Sequence, residues 1–182
     1  MDYNRLKIPD VVICEPKVFL DERGYFTETF REDKLTEFLG YKVNFCQDNE
    51  SKSNFGVVRG LHYQIAPYTQ SKLVRVIKGT VLDVAVDIRK DSHTFGQHIA
   101  VELSDSNKRQ LFIPKGFANG FVVLSKEAIY TYKVDNYYNK KSERGIAFDD
   151  KTLKLDWKLS TNQLESSLKD KHLPSFKSAE YL

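Results

Sequence analysis

The chain has 182 residues, a length that suits one domain able to bury a sizeable core. Its net charge is only +3 and the basic residues are scattered, so nothing calls for nucleic acid, while an anionic small substrate fits. No run of about 18 apolar residues could span a bilayer. Two cysteines and no apolar h-region in Met1–Asp10 point to a reducing cytoplasm rather than a disulfide framework.

Taken in order, Val11 to Leu20 reads as strand with a break at Pro16, and Asp21-Glu22-Arg23-Gly24 reads as a turn. Tyr25 to Phe30 alternates as a strand. Arg31 to Leu39 is the one convincing helix: Leu35, Phe38 and Leu39 share a face and Gly40 stops it. Val43 to Gln47 resumes strand, and polar Asn49 to Gly56 reads as loop. Val57 to Gln64 is again strand-like. Gly60 within it signals a bulge or a ligand close to the backbone. Strict alternation would put Arg59, Leu61 and Tyr63 on one face, and Val58, Gly60, His62 and Gln64 on the other.

Lys72 to Ile77 and Thr80 to Arg89 follow as strands, with Lys78-Gly79 between them as a hairpin signal. The second strand has period 2, with Leu82, Val84, Val86 and Ile88 expected inside and Asp83 and Asp87 outside. Further strands are expected at Gln97–Leu103, Gln110–Ile113, Phe121–Leu124 and Ile129–Val134. Turn residues separate them at short intervals. The tail changes character, with short helices or turns over Asp150–Lys158 and Thr161–Asp170 around Trp157. So many short strands imply an all-β sandwich or barrel of the jelly-roll kind, with short C-terminal helices, spanning 1–182 as a single domain.

Metal-binding jelly rolls draw several ligands together, commonly a His-x-His pair with a carboxylate. The four histidines, His62, His93, His98 and His172, contain no such pair. The expectation is therefore no metal and no cofactor, with any chemistry done by organic acids and bases.

The motifs then add up. Phe19-Leu20-Asp21-Glu22-Arg23-Gly24-Tyr25-Phe26-Thr27-Glu28 is followed by Gln47-Asp48-Asn49, Arg59-Gly60-Leu61-His62-Tyr63-Gln64 and Lys72-Leu73-Val74-Arg75-Val76. Later come Ile113-Pro114-Lys115-Gly116-Phe117-Ala118, Tyr130-Thr131-Tyr132-Lys133, Tyr137-Tyr138, Glu143-Arg144-Gly145 and Leu168-Lys169-Asp170-Lys171. In this order they resemble the dTDP-4-dehydrorhamnose 3,5-epimerases, and more broadly the epimerases of nucleotide-linked 4-keto-6-deoxy sugars. The resemblance implies a cupin-type jelly roll, a homodimer that exchanges N-terminal strands, and a place in capsule or lipopolysaccharide synthesis.

It also implies roles. A C–H beside a ketone is acidic because its carbanion is an enolate, so C3 and C5 of a 4-keto sugar can each be inverted. That needs a base on one face, an acid on the other and a charge stabiliser at the C4 oxygen. By resemblance His62 is the base with Asp170 behind it, Tyr132 the acid, and Lys72 the group at the C4 oxygen. Arg23 and Arg59 suit a diphosphate. Phe19, Phe26, Glu28, Gln47 and Asn49 make the nucleotide wall, and Tyr138 lines the sugar pocket. Taken singly, each has a plainer reading: Asp170 as a surface charge, Tyr132 and Phe26 as core, Lys72 as a solvated strand edge.

Two positions depart from the family pattern. Asn119 stands where the family reads His in Gly-Phe-Ala-His-Gly-Phe, and Asn139 stands where it reads Pro. The first bears on whether C5 is inverted as well as C3, and on the sugar. The alternatives are a C3-only epimerase of a GDP-linked 4-keto heptose and, in another class, a sugar-nucleotide-binding cupin without turnover. Both GDP- and dTDP-linked substrates fit the residues.

Overall fold

The computed structural model describes residues 1–181. Its strands fall into two main antiparallel sheets and one outlying pair. The six-stranded sheet runs β1 (Asp2–Arg5), β2 (Val12–Glu15), β10 (Gln110–Ile113), β7 (Lys72–Lys78), β12 (Glu127–Val134) and β5 (Gln47–Asn54). The five-stranded sheet runs β13 (Glu143–Gly145), β6 (Val58–Gln64), β11 (Phe117–Val123), β8 (Thr80–Asp87) and β9 (His98–Ser104). β3 (Val18–Asp21) and β4 (Gly24–Thr27) pair only with each other. The expected all-β jelly roll is what the chain forms.

The two sheets pack face to face over Val74, Val76, Leu111 and Tyr130 from one and Val81, Ala85, Leu103 and Phe121 from the other. Each outer face is covered as well. Helix α1 (Glu32–Leu39) lays Leu35 and Leu39 over Val12, Leu73 and Phe112. Its first turn carries Glu32 and Asp33, favourable at the positive end of the helix, and Gly40 closes it at φ 80°. On the other side the C-terminal tail lays Ile146, Leu153, Trp157 and Phe176 over Val58, Leu61, Leu82, Val84 and Val86. Helix α2 (Leu168–Lys171) lies within this tail, ahead of Phe176.

The second covering layer overturns one expectation. Asp83 and Asp87 are fully buried rather than outward-facing. Alternation along β8 sorts residues between two faces, but here both faces are inside: Leu82, Val84 and Val86 meet the tail, while Asp83 points between the sheets. Lys78-Gly79 is not a hairpin either. β7 and β8 belong to different sheets, and Gly79 (φ 81°) turns the chain from one to the other. A Cβ there would lie 2.1 Å from the Glu127 carbonyl oxygen, so glycine is required.

The segment expected as loop, Asn49 to Gly56, is mostly the edge strand β5, while Val43 to Cys46 lies outside any strand. β5 reads as loop because its side chains are polar, yet its backbone pairs with β12 over eight positions, from Asn54 to Gln47. An edge strand tolerates such composition, since one flank faces water.

Candidate active site

The opening glycine of the site is Gly60. Between β6 and β11 the register passes from Asn119↔His62 to Phe121↔Arg59, so three steps on one strand match two on the other. This bulge breaks the alternation expected for β6. Arg59 and His62 line the same cleft, and Val58 and Leu61 both join the core beneath the tail. Gly60 has φ 124°, and a Cβ there would lie 2.6 Å from the Gly120 Cα. The two glycines let β6 and β11 approach closely. The bulge also turns the Gly60 N–H to the Asp170 carboxylate, at 3.3 Å.

The cleft has a volume of about 490 Å³ and opens between the sheets. β6 supplies His62, β11 supplies Asn119, β7 supplies Lys72 and β12 supplies Tyr132. The imidazole and the phenol therefore come from opposite sheets. Asn49 and Arg59 line the same cleft.

His62 donates from Nε2 to the Asp170 Oδ1 at 2.7 Å, across 108 residues of sequence. Asp170 is buried at the start of α2, its N–H accepted by the Ser167 hydroxyl. Burial pushes the Asp170 carboxyl up, but the hydrogen bond and charge of His62 and the Gly60 N–H outweigh it and hold the carboxyl below its ordinary value. With Nε2 engaged, Nδ1 is the ring nitrogen left for a substrate proton.

Lys72 reaches the His62 carbonyl at 3.4 Å and the Asn119 Oδ1 at 3.5 Å. Its ammonium also stands 5.8 Å from the Tyr132 ring centroid. Burial lowers the lysine to about 8, against the pull of Asp83 and Glu143. Burial raises the Tyr132 phenol, which Arg59 partly offsets.

Around this centre, Gln47 donates to the Asn49 Oδ1 at 2.8 Å and accepts the Tyr138 N–H at 3.1 Å. The Tyr138 hydroxyl donates to Glu143 at 3.0 Å, and Lys169 pairs with the same carboxylate at 2.6 Å. Asn139 shapes the adjoining turn: its side-chain oxygen accepts the N–H groups of Lys141 and Ser142 at 3.0 and 3.2 Å.

Four expected site residues lie elsewhere. Phe19, Arg23 and Phe26 sit on the outlying β3–β4 hairpin, with Glu28 just beyond it, and none lines the cleft of its own chain. Phe19 and Phe26 are 60% and 70% exposed, and among the described residues Arg23 pairs only with Asp21. The sequence reading also missed two residues. Asp83 lies buried behind Asn119 and Tyr130, and the charge of Glu143 acts on Lys72; Glu143 was visible as part of a motif, Asp83 only as a charge inside an apolar strand. Among the described residues no cluster of His, Cys, Asp or Glu is placed to hold a metal. Among the same residues no helix is long and apolar enough to cross a membrane.

The fold is a cupin-like jelly roll with a polar cleft between its sheets. A dTDP-4-dehydrorhamnose 3,5-epimerase from Elizabethkingia anophelis superposes with a TM-score of 0.93 at 48% identity, covering 97% of each chain. A dTDP-6-deoxy-D-glucose-3,5-epimerase from Legionella pneumophila, solved with dTDP-4-keto-L-rhamnose, gives 0.93 at 47% identity, covering 97% of this chain and 93% of that one. The dTDP-4-dehydrorhamnose 3,5-epimerase of Shigella flexneri is 53% identical, over 100% of this chain and 99% of its own. The family profile of dTDP-4-dehydrorhamnose 3,5-epimerase matches residues 5–178. The chain belongs to the dTDP-4-dehydrorhamnose 3,5-epimerase family.

Proposed function

We propose that this protein inverts both C3 and C5 of a dTDP-linked 4-keto-6-deoxyhexose. The observation that carries the reading is the pair His62–Asp170 on one sheet side of the cleft and Tyr132 on the other, with Lys72 between them. The relatives named above are dTDP-sugar enzymes, and the GDP-linked heptose alternative draws no support from them.

His62 Nδ1 takes the proton from C3, the C–H electron pair moves into the ring, and the C4 carbonyl becomes an enolate. Asp170 stabilises the imidazolium so formed. Lys72 donates to the enolate oxygen inside a half-closed cleft, where a fixed cation is worth more than in water. Tyr132 returns a proton to C3 from the opposite face. The phenolate and the imidazolium then exchange protons with water, and the cycle repeats at C5. A binding protein without turnover has no use for an acid and a base on opposing walls.

Arg59 reaches the cleft mouth, where a guanidinium can grip a diphosphate; its Nε is held by Ser53 at 2.9 Å. The exposed Phe19, Arg23 and Phe26 are best used on a second copy of the chain, whose cleft they would finish as nucleotide wall. A homodimer with exchanged hairpins follows from that reading.

The test is proton NMR in D2O with dTDP-4-keto-6-deoxyglucose and its GDP-linked counterpart. Deuterium entering C3 and C5 of the dTDP sugar is expected. Entry at C3 alone would replace the reading with a 3-epimerase. A 3'-monoepimerase from Streptomyces bikiniensis has this fold at 27% identity and a TM-score of 0.88, so fold does not separate the two outcomes.

A further inference from the structure

One buried charge takes no part in the chemistry above. Asp83 is fully enclosed beneath the cleft and, among the described residues, pairs with no cation directly. Its Oδ2 accepts from the Tyr130 hydroxyl at 2.5 Å, and its Oδ1 accepts from the Asn119 Nδ2 at 2.8 Å. Asn119 Nδ2 also donates to the Val84 carbonyl at 3.1 Å. Both amide hydrogens are committed, so the side chain cannot flip without losing two bonds in a buried place. This fixed orientation is what leaves Oδ1 facing Lys72 Nζ.

Lys72 stands in a site that favours its neutral form. The groups facing it are His62 and Asn119 from the five-stranded sheet and Tyr132 and Tyr130 from the six-stranded sheet, with the charges of Asp83 and Glu143 acting from beyond them. Only Asp83 and Glu143 bring negative charge to bear on it. Glu143 is already bonded to Lys169 and Tyr138. Asp83 is left as the counter-charge with no other cation to serve.

We propose that Asp83 is a positioning residue for the reaction: through Asn119 it fixes the acceptor that orients the Lys72 ammonium, and its buried charge keeps that ammonium protonated. The proposal rests on the reading of Lys72 as the group at the C4 oxygen. Tyr130 belongs to the same device. Its hydroxyl helps keep Asp83 ionised, because a protonated carboxyl would have to give up one of its two donors. Burial raises the Asp83 carboxyl to about 7, against Tyr130, Lys72 and Asn119, so the charge depends on all three.

The experiment titrates Lys72 directly. The protein is labelled with 13Cε-lysine, the Lys72 signal is assigned with Lys72→Arg, and the midpoint is read without substrate in wild type, Asp83→Asn and Tyr130→Phe. Kinetics against pH are measured on the same samples. In Asp83→Asn the Lys72 midpoint is expected to fall by about one pH unit, a tenfold change in its protonation equilibrium. The alkaline limb of kcat should fall with it, while KM and the acid limb stay. Tyr130→Phe should move both in the same direction by less. An unmoved Lys72 midpoint, or a kcat lowered equally at every pH, overturns the proposal. If Asp83→Asn fails to fold, Tyr130→Phe decides by the same readings. The NMR midpoint needs no turnover, so a wrong substrate assignment would show as absent exchange beside an intact Lys72 shift.

Discussion

Asp83 and Asp87 lie four residues apart on β8, share a face of the strand and are both fully buried, yet their surroundings drive them in opposite directions. Asp87 sits at the turn end. Arg89 grips it from Nε and Nη2 at 2.9 and 2.7 Å, Ser92 and Thr94 donate at 2.6 Å each, and the Arg89 backbone N–H adds a fifth hydrogen bond. Burial alone would raise it, but these donors hold its carboxyl down to about 2. Asp83 sits at the cleft end with a phenol and an amide, and burial wins. The first arrangement ties down a loop. The second keeps a charge poised beside a lysine. A buried carboxylate with a full set of donors that includes a guanidinium is structural, and one left with neutral donors next to a cleft is a candidate for function.

The widest separation between the two ends should come from the chemistry itself. His62→Asn is expected to cut proton exchange at C3 and C5 by about 10²–10⁴-fold, the usual contribution of a positioned acid or base. Nucleotide binding should persist, and unfolding should stay close to wild type. Exchange that survives at full rate would remove His62 from the base role. Tyr132→Phe should reduce product formation more than wash-out of the substrate proton; equal losses would leave Tyr132 as a pocket wall.

At the turn end the loss should be of stability instead. Asp87→Ala leaves Arg89 without its main partner, though Asp10 still reaches it at 2.9 Å. Breaking a buried pair from one side typically costs about 3–5 kcal/mol, and the exposed flank of Arg89 and its second partner place this case near 3. Urea denaturation should register that drop, with kcat per folded molecule unchanged. A kcat that falls with stability would mean that the two ends of β8 are mechanically coupled.

The two aspartates also mark what the sequence discloses. Period 2 along β8 was legible, and it sorted the residues correctly between faces. It could not say that both faces are covered, because the cover is the tail from Ile146 to Phe176, far along the chain. Gly60 announced its bulge by composition, but the phase slip that brings Arg59 to the side of His62 needs the register with β11. Asp170 reads alone as a surface charge in Ser167-Leu168-Lys169-Asp170-Lys171. Only the order of motifs linked it to His62, and only the fold brings them to 2.7 Å. The hairpin aromatics were legible as apolar residues, but their exposure in one chain was not.

The smallest expected effect is the most specific, since it reads the two aspartates against pH. Asp87 has a folded-state value depressed below its ordinary 3.8, so its contribution is present above that value and is lost as pH falls toward about 2. Asp83 has a folded-state value raised from 3.8 to about 7, so the folded state holds its proton more tightly than the unfolded chain does. Its contribution is present below 3.8 and is lost as pH rises through 7. Melting temperatures of Asp87→Asn should therefore lose part of the wild-type decline between pH 4 and pH 2, on a lower curve throughout. Those of Asp83→Asn should lose part of the decline between pH 4 and pH 7, so that its stability relative to wild type improves toward neutrality. Improvement in stability at the pH where Lys72 is less well held would identify Asp83 as a charge kept at the expense of the fold. Parallel curves for the two variants would mean that both aspartates serve the fold alone.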